Sequence, residues 1–181
     1  LGVNIEAPLP VVERCVREAG IGFLFAPLLH GAMKYAIGPR RELGARTVFN
    51  ILGPLTNPAG VRRQVLGIYS RDLVRKIAGV LRNLGSEKAL VVHSDDGLDE
   101  LSICAPTTLA ELTGDQISTR RIEPKTVGLE RGHLEDLVVE SPEESADLIH
   151  SVLAGKQGPQ RDVVVLNAGA AIYVGGKADS I

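Results

Sequence analysis

The sequence of 181 residues predicts an α/β fold. Two apolar runs typical of strands, Val65–Tyr69 and Ala89–His93, flank an amphipathic segment from Asp72 to Leu84. Apolar residues recur in that segment at helical spacing, and Gly85 follows its end as a stop signal. A strand, a helix and a strand joined by short connections are typical of a parallel α/β unit.

The segments before this unit are predicted to form a helix and a short strand. Apolar residues share one face from Pro8 to Ala19, and Gly20 is placed to end that helix. The apolar run Ile21–Ala26 has the length and composition of a strand, and Pro27 ends it.

The segments after residue 105 predict a hairpin and two further elements. Thr107–Leu112 and Ile117–Ile122 alternate around a Thr-Gly-Asp-Gln turn, which favours a hairpin. The sequence Ser141-Pro-Glu-Glu is a capping box and predicts a helix that continues to about Leu153. Periodicity leaves Asp162–Val174 open, because its three valines favour a strand and the following Asn-Ala-Gly-Ala-Ala a buried helix.

Charge, hydropathy and cysteine usage argue against several classes of protein. Twenty Lys and Arg against 22 Asp and Glu give a net charge of -2, which provides no overall attraction to nucleic acid or an anionic membrane and leaves open only a local basic patch. The longest apolar stretches, Ile21–Leu29 and Val163–Gly176, fall short of the roughly 18 residues that a membrane span needs, and Asn167 interrupts the second. Cys15 and Cys104 lack metal-ligand spacing and are expected to be reduced thiols of a cytoplasmic protein.

Both ends of the sequence are interpreted as cut. It starts at Leu1 without an initiator methionine, and it stops at Ile181 just after a predicted helix cap. No internal linker or repeat divides it. We therefore expect one large α/β domain over residues 1–181, truncated at both ends.

The most unusual stretch is residues 26–58, where Gly-Pro and Asn-Pro breaks follow an apolar patch. His30 and Met33 are one helical turn apart, so both can face one pocket. Arg40, Arg41 and Arg46 supply planar guanidinium groups suited to a carboxylate or a phosphate. A structural histidine and a solvated arginine pair are the alternative interpretation of the same pattern.

A second polar cluster consists of Asp95, Asp96, Asp99 and Glu100, directly after the predicted strand Ala89–His93. In open α/β sheets, ligands bind at the carboxyl ends of strands. Several carboxylates there repel one another unless a cation lies among them. Mg²⁺ is the natural candidate, because it takes one or two carboxylates together with substrate phosphates. A solvated acidic turn is the alternative.

From Arg40 the chain reads Arg-Arg-Glu-Leu-Gly-x-Arg-Thr-x-Phe-Asn-x-Leu-Gly-Pro-Leu-Thr-Asn-Pro, and from Asp96 it reads Asp-Gly-Leu-Asp-Glu-Leu-Ser. Together these motifs resemble the anthranilate phosphoribosyltransferase family. The resemblance extends over residues 1–181. It implies a small helical domain, missing from this sequence, and a large domain of the nucleoside phosphorylase/phosphoribosyltransferase type. That large domain has a central, mainly parallel sheet flanked by helices, and the resemblance favours a helix for Asp162–Val174.

The resemblance also implies an activity. The family transfers the phosphoribosyl group of phosphoribosyl pyrophosphate to the amine of anthranilate in tryptophan biosynthesis, as a homodimer. By this resemblance Arg40 would hold the anthranilate carboxylate, and Asp99 and Glu100 would hold Mg²⁺. The access path for anthranilate would be lined by Ala26, Pro27, His30, Met33 and Gly53. No catalytic general base is expected, because the nucleophile is a neutral aromatic amine.

Two features depart from the family pattern. The family usually has His-Gly before the acidic loop, where this sequence has His93-Ser94, a change that affects the expected backbone path but removes no carboxylate. The family's glycine-rich phosphate-binding loop and its Lys-His-Gly-Asn-Arg segment do not occur here, so residues 1–181 alone are expected to be inactive.

Two alternatives share this fold, a pyrimidine-nucleoside phosphorylase and a non-enzymatic nucleic-acid-binding relative. The Arg40 motif and the Asp99-Glu100 pair argue against the phosphorylase. The net charge of -2 argues against the nucleic-acid binder.

Overall fold

The computed structural model describes residues 1–29, 38, 42, 44 and 49–181. The chain divides into two compact units, Leu1–Gly60 and Val61–Ile181. The expectation of one truncated domain over residues 1–181 stays a prediction.

The described part of the first unit is helical. It contains α1 (Leu9–Ala19), α2 (Ala26–Leu29) and α3 (Phe49–Leu55). The first predicted helix is confirmed, and Gly20 ends it in the left-handed conformation with φ 77°.

The strand predicted for Ile21–Ala26 is wrong. Residues 21–25 form neither helix nor strand, and α2 begins at Ala26. The composition of the apolar run favours a strand that Pro27 ends, but a proline is also well tolerated in the first turn of a helix. The Leu28 N–H donates to the Phe25 carbonyl at 3.0 Å, which closes the turn that starts α2.

The second unit is built on a four-stranded sheet in the order β1-β2-β3-β4. Its strands are β1 (Arg63–Gly67), β2 (Lys88–Ser94), β3 (Thr107–Thr113) and β4 (Gln116–Ile122). The pair β1 and β2 is parallel, and the other two pairs are antiparallel. The α/β class, the parallel unit and the hairpin are therefore confirmed, and the sheet of the described residues is mixed.

The helices of the second unit follow the predicted segments. A 3-10 turn (Arg71–Leu73) leads into α4 (Val74–Asn83), two 3-10 turns follow β4 (Pro124–Val127 and Leu134–Leu137), and the last elements are α5 (Pro142–Leu153) and α6 (Pro159–Val174). The segment that periodicity left open is therefore helical. Ser141 caps α5, because its Oγ accepts the Glu144 N–H at 3.1 Å.

The core lies on both faces of β2, whose residues from Ala89 to Val92 are at most 1% exposed. Leu90 and Val92 pack with Leu166, Ala170 and Val174 of α6, and α4 contacts β2 and β3. Since successive strand residues point to opposite faces, the two helices cover opposite faces of the sheet.

The two cysteines are free, Cys15 exposed on α1 and Cys104 buried, where burial raises the pKa of its thiol. In the part of the chain that the structure describes, no helix has the length and apolar character needed to cross a membrane.

Candidate functional site

The acidic loop (residues 95–100) follows β2 directly, as the sequence predicts. Its four carboxylates have different environments. Asp95 pairs with Arg121 at 2.5 Å between Oδ2 and Nη2. Asp96 turns inward to Ser102, whose Oγ donates to Asp96 Oδ2 at 2.5 Å. Two of the four charges are thus accommodated by the protein itself.

Asp96 shapes the loop. Its Oδ1 accepts the Leu98 N–H at 3.1 Å, a local bond typical of an aspartate in a turn. Gly97 has φ 94°, a conformation that glycine adopts without strain. Partial burial opposes ionisation, but hydrogen bonds from Ser102 Oγ and the Leu98 N–H outweigh it and hold the pKa of Asp96 below its ordinary value.

Asp99 and Glu100 have no side-chain partner among the described residues. Both are exposed, and neither makes a hydrogen bond or ion pair within the described residues. Although the Glu100 side chain is exposed, partial desolvation of its carboxyl group, together with the adjacent charge of Asp99, raises its pKa. A cation between the two carboxylates would relieve that repulsion.

The donor chemistry of this pair fits Mg²⁺. Among residues 1–29, 38, 42, 44 and 49–181, no three His, Cys, Asp or Glu side chains form a group that could hold a metal ion alone. Two carboxylates are the typical protein contribution to a magnesium site that substrate phosphates complete. Asp99 and Glu100 could therefore supply the carboxylates of such a site.

Ser94 occupies its position without backbone strain. Its φ is not positive, its N–H donates to the Leu98 carbonyl at 2.9 Å, and its carbonyl accepts the Gly97 N–H at 3.0 Å. The His-Ser departure from the family pattern is thus compatible with this tight loop. The Ser94 hydroxyl is fully buried and makes no hydrogen bond of ordinary geometry to the described residues, although it lies close enough to Asp96 to favour its ionised form.

The backbone at the end of the loop is held by Asn167 of α6. Asn167 Oδ1 accepts the Leu101 N–H at 3.1 Å, and Nδ2 donates to the carbonyls of Leu101 at 2.8 Å and Val163 at 3.0 Å. The sequence showed Asn167 only as a polar residue in an apolar run. The available signal was that an amide in an apolar, half-buried segment needs partners, which sequence alone does not identify.

The residues predicted to bind anthranilate all belong to the first unit, Leu1–Gly60. Ala26 and Gly53 line one small cavity of about 260 Å³, whose other described lining residues are Leu24, Leu29, Pro54, Asn57 and Pro58. Pro27 is in α2, and its side chain is not described. His30, Met33, Arg40, Arg41 and Arg46 lie outside the described residues. The structure therefore brings together two of the six residues predicted to bind the substrate.

Comparison with known proteins connects these features to one family. A model described as "Glycosyl transferase family, a/b domain" matches residues 1–181. The anthranilate phosphoribosyltransferase of Syntrophotalea carbinolica is 54% identical over 181 residues, which are 100% of this chain and 51% of that protein. That of Geotalea uraniireducens is 52% identical over 177 residues, or 98% of this chain and 51% of that protein. The chain thus spans about half the length of the curated relatives it matches.

Solved structures of anthranilate phosphoribosyltransferases are also similar to this chain along most of its length. Anthranilate phosphoribosyltransferase from Thermus thermophilus is 43% identical with a TM-score of 0.91, over 99% of this chain and 53% of that one. The Saccharomyces cerevisiae enzyme in complex with 4-fluoroanthranilate is 28% identical with a TM-score of 0.85, over 98% and 51%. The same yeast enzyme in complex with PRPP and Mg is also 28% identical, with a TM-score of 0.84 over 95% and 50%.

The family model matches the whole chain, and the chain shares its α/β fold, with an acidic loop at the carboxyl end of β2, with these structures. The chain therefore belongs to the glycosyl transferase family and corresponds to its α/β domain.

Proposed function

We propose that the protein containing this chain is an anthranilate phosphoribosyltransferase. It transfers the phosphoribosyl group of phosphoribosyl pyrophosphate to the amine of anthranilate, with release of pyrophosphate, in tryptophan biosynthesis. The observation that carries this proposal is the 54% identity, along the whole chain, with a relative of that name. A cytoplasmic location and a homodimer belong to the same proposal.

On the donor side, Asp99 and Glu100 would hold Mg²⁺. Support comes from the lack of a partner for either side chain among the described residues, and from the raised pKa of Glu100, which partial burial and the Asp99 charge cause together. A magnesium ion bound there would offset the negative charge that grows on pyrophosphate as it leaves. The two carboxylates contribute charge and position, and the phosphate oxygens of the donor complete the coordination.

On the acceptor side, Arg40 would bind the carboxylate of anthranilate by a charge-assisted bidentate contact. The resemblance supports this role, together with the access path of Ala26, Pro27, His30, Met33 and Gly53. Of these, Ala26 and Gly53 line the same cavity. Since the aromatic amine is already neutral, orientation rather than deprotonation is what the site must provide.

The proposal is tested on the full-length protein with phosphoribosyl pyrophosphate, anthranilate and Mg²⁺, by following the loss of anthranilate fluorescence. Activity that requires all three supports it. Phosphorolysis of a pyrimidine nucleoside, or salt-dependent binding of nucleic acid without transfer, would overturn it in favour of one of the alternatives.

The acceptor assignment is tested by Arg40→Ala, with Arg41→Ala as the control. Loss of a charge-assisted hydrogen bond costs roughly 1.5–3 kcal/mol, so kcat/KM for anthranilate should fall by roughly 10- to 150-fold. The KM for phosphoribosyl pyrophosphate should change little. Equal losses for both substrates would contradict the role of Arg40.

The metal assignment is tested by Asp99→Asn combined with Glu100→Gln. This variant should need more magnesium for activity and keep its fold, as judged by circular dichroism. Asp95→Asn is the control in the same loop, because Asp95 is already paired with Arg121. An unchanged magnesium requirement in the double variant would remove Asp99 and Glu100 from the site.

A further inference from the structure

The segment that carries Asp99 and Glu100 is held by groups on both sides. On one side the Asn167 side chain bonds both the N–H and the carbonyl of Leu101, at 3.1 and 2.8 Å. A side-chain amide that satisfies both polar groups of one residue restricts its position much as a neighbouring strand does. Leu101 itself is 0% exposed, so its side chain anchors the segment in the core.

On the other side the backbone of Asp99 lies against Gly67, the last residue of β1. A Cβ at position 67 would be 1.4 Å from the Asp99 carbonyl oxygen and 2.5 Å from its carbonyl carbon. The φ of Gly67 is not positive, so glycine is needed there for space rather than for backbone conformation. Any side chain at position 67 would displace the backbone of Asp99.

Asn167 is itself fixed. Its Nδ2 also donates to the Val163 carbonyl one turn earlier in α6, at 3.0 Å, which orients the amide. α6 is in turn anchored on the sheet by Leu166 and Ala170, which are 5% and 0% exposed. The hydrogen bonds of Asn167 therefore connect α6, which packs in the core, to Leu101, the residue next to Glu100.

We propose that Asn167 and Gly67 are positioning residues that hold the backbone of residues 99–101 so that Asp99 and Glu100 present their carboxylates together to a divalent cation. The inference rests on the proposed function, because the cation is the one that accompanies the donor pyrophosphate. Neither residue touches the cation. Partners that orient metal ligands from behind typically change metal affinity by about 10- to 100-fold when they are removed.

The test measures cation binding directly in the full-length protein. Mn²⁺ is the probe, titrated in the presence of phosphoribosyl pyrophosphate. Binding to the protein is the loss of the free Mn²⁺ signal in electron paramagnetic resonance beyond the loss that phosphoribosyl pyrophosphate causes without protein. Asn167→Ala should weaken Mn²⁺ binding by about 10- to 100-fold. It should raise the Mg²⁺ concentration for half-maximal activity in parallel, and leave the KM for anthranilate nearly unchanged.

The matched control is Gln160→Ala. Gln160 lies on the same helix and also donates a side-chain amide to a backbone carbonyl, that of Asp136 at 2.6 Å, away from the acidic loop. The Gln160→Ala variant should bind Mn²⁺ as tightly as the unmodified protein does. Asn167→Asp keeps the acceptor for the Leu101 N–H but places a carboxylate oxygen where Nδ2 donates to two carbonyls, so it should also weaken Mn²⁺ binding, even if Asn167→Ala folds poorly.

The outcomes separate this inference from the proposed function. If the unmodified protein binds no Mn²⁺ with phosphoribosyl pyrophosphate, the metal assignment itself fails. If the unmodified protein binds Mn²⁺ and the folded Asn167 variants bind it equally well, the positioning role is overturned and Asn167 only docks α6. Gly67→Ala tests the opposite side of the same backbone: it should also weaken Mn²⁺ binding, and equal binding by the folded variant would overturn the positioning role of Gly67.

Discussion

Replacing Asp96 by alanine is expected to disrupt the hydrogen-bond chain beneath the acidic loop. In that chain the Cys104 N–H donates to Ser102 Oγ at 2.9 Å, and Ser102 Oγ donates to Asp96 Oδ2 at 2.5 Å. Asp96 Oδ1 also accepts the Leu98 N–H at 3.1 Å. Removal of one carboxylate therefore ends two hydrogen bonds and leaves the buried Ser102 hydroxyl without its acceptor.

The magnitude follows from these contacts. Hydrogen bonds to a charged group contribute about 1.5–3 kcal/mol each, and the partial exposure of Asp96 favours the lower end. Ser102 is 3% exposed, and an unsatisfied buried hydroxyl costs roughly 1–3 kcal/mol. We expect Asp96→Ala to lower the free energy of unfolding by about 3 kcal/mol, and Asp96→Asn by about 1 kcal/mol because an amide oxygen keeps one acceptor.

The assay is urea unfolding of the protein, followed by circular dichroism, with Asp95→Ala as the matched control. Asp95 makes an exposed ion pair with Arg121, and such pairs contribute about 0–1 kcal/mol. The Asp96 variant should therefore be clearly less stable than the Asp95 variant. Equal losses for the two neighbours would refute the assignment of Asp96 as the residue that shapes the loop.

The pH dependence of the same contribution has a defined sign. Because the folded-state pKa of Asp96 is below its unfolded value, the stabilisation is fully present above the unfolded pKa, near pH 4, and is lost as the pH falls through the folded pKa. The stability difference between the unmodified protein and Asp96→Asn should be constant from about pH 5 to 7 and shrink below about pH 4. A difference that grows on acidification would contradict this.

Three further perturbations test the packing and capping of the second unit. Leu81→Ala should lower the free energy of unfolding in urea by about 2–5 kcal/mol, because Leu81 is 1% exposed. Leu84→Ala is the control and should lower it far less, because Leu84 is 60% exposed. Tyr173→Phe should cost about 1 kcal/mol, since the Tyr173 hydroxyl donates to Glu111. That hydrogen bond and burial raise the Tyr173 pKa, so this cost should vanish as the pH rises well above about 10. Ser141→Ala should cost about 1 kcal/mol through loss of the α5 cap, and an unchanged unfolding midpoint would show that the cap is not stabilising.

Sequence patterns predicted most of the second unit, because its elements carry strong local signals. The segment from Asp72 to Leu84 has helical periodicity and a glycine after it, and residues 113–116 have the composition of a turn. The bounds were less accurate. The strand predicted as Val65–Tyr69 is Arg63–Gly67, although Ile68 still donates its N–H to the Val92 carbonyl at 3.0 Å. An apolar run marks burial, whereas strand bounds depend on which partner strand is available.

The wrong prediction of a strand at Ile21–Ala26 has the same physical origin. A short apolar run is compatible with a strand or with packing in a coil, and periodicity does not distinguish them. Phe23 and Phe25 instead stack with their ring centroids 6.4 Å apart. Local composition predicted that these residues are apolar contacts, but not the backbone conformation that brings them together.

The sequence by itself determined the fold class, the position of the acidic loop after β2 and, through a long motif, the family that the chain resembles. Only the tertiary structure decided how the four carboxylates divide, because their partners are distant in sequence: Asp95 meets Arg121, and Asp96 turns toward Ser102. It also decided that Asn167, 66 residues from Leu101, holds the end of that loop. Residue type and spacing identify groups that can bind, whereas long-range packing selects the groups that remain free to do so.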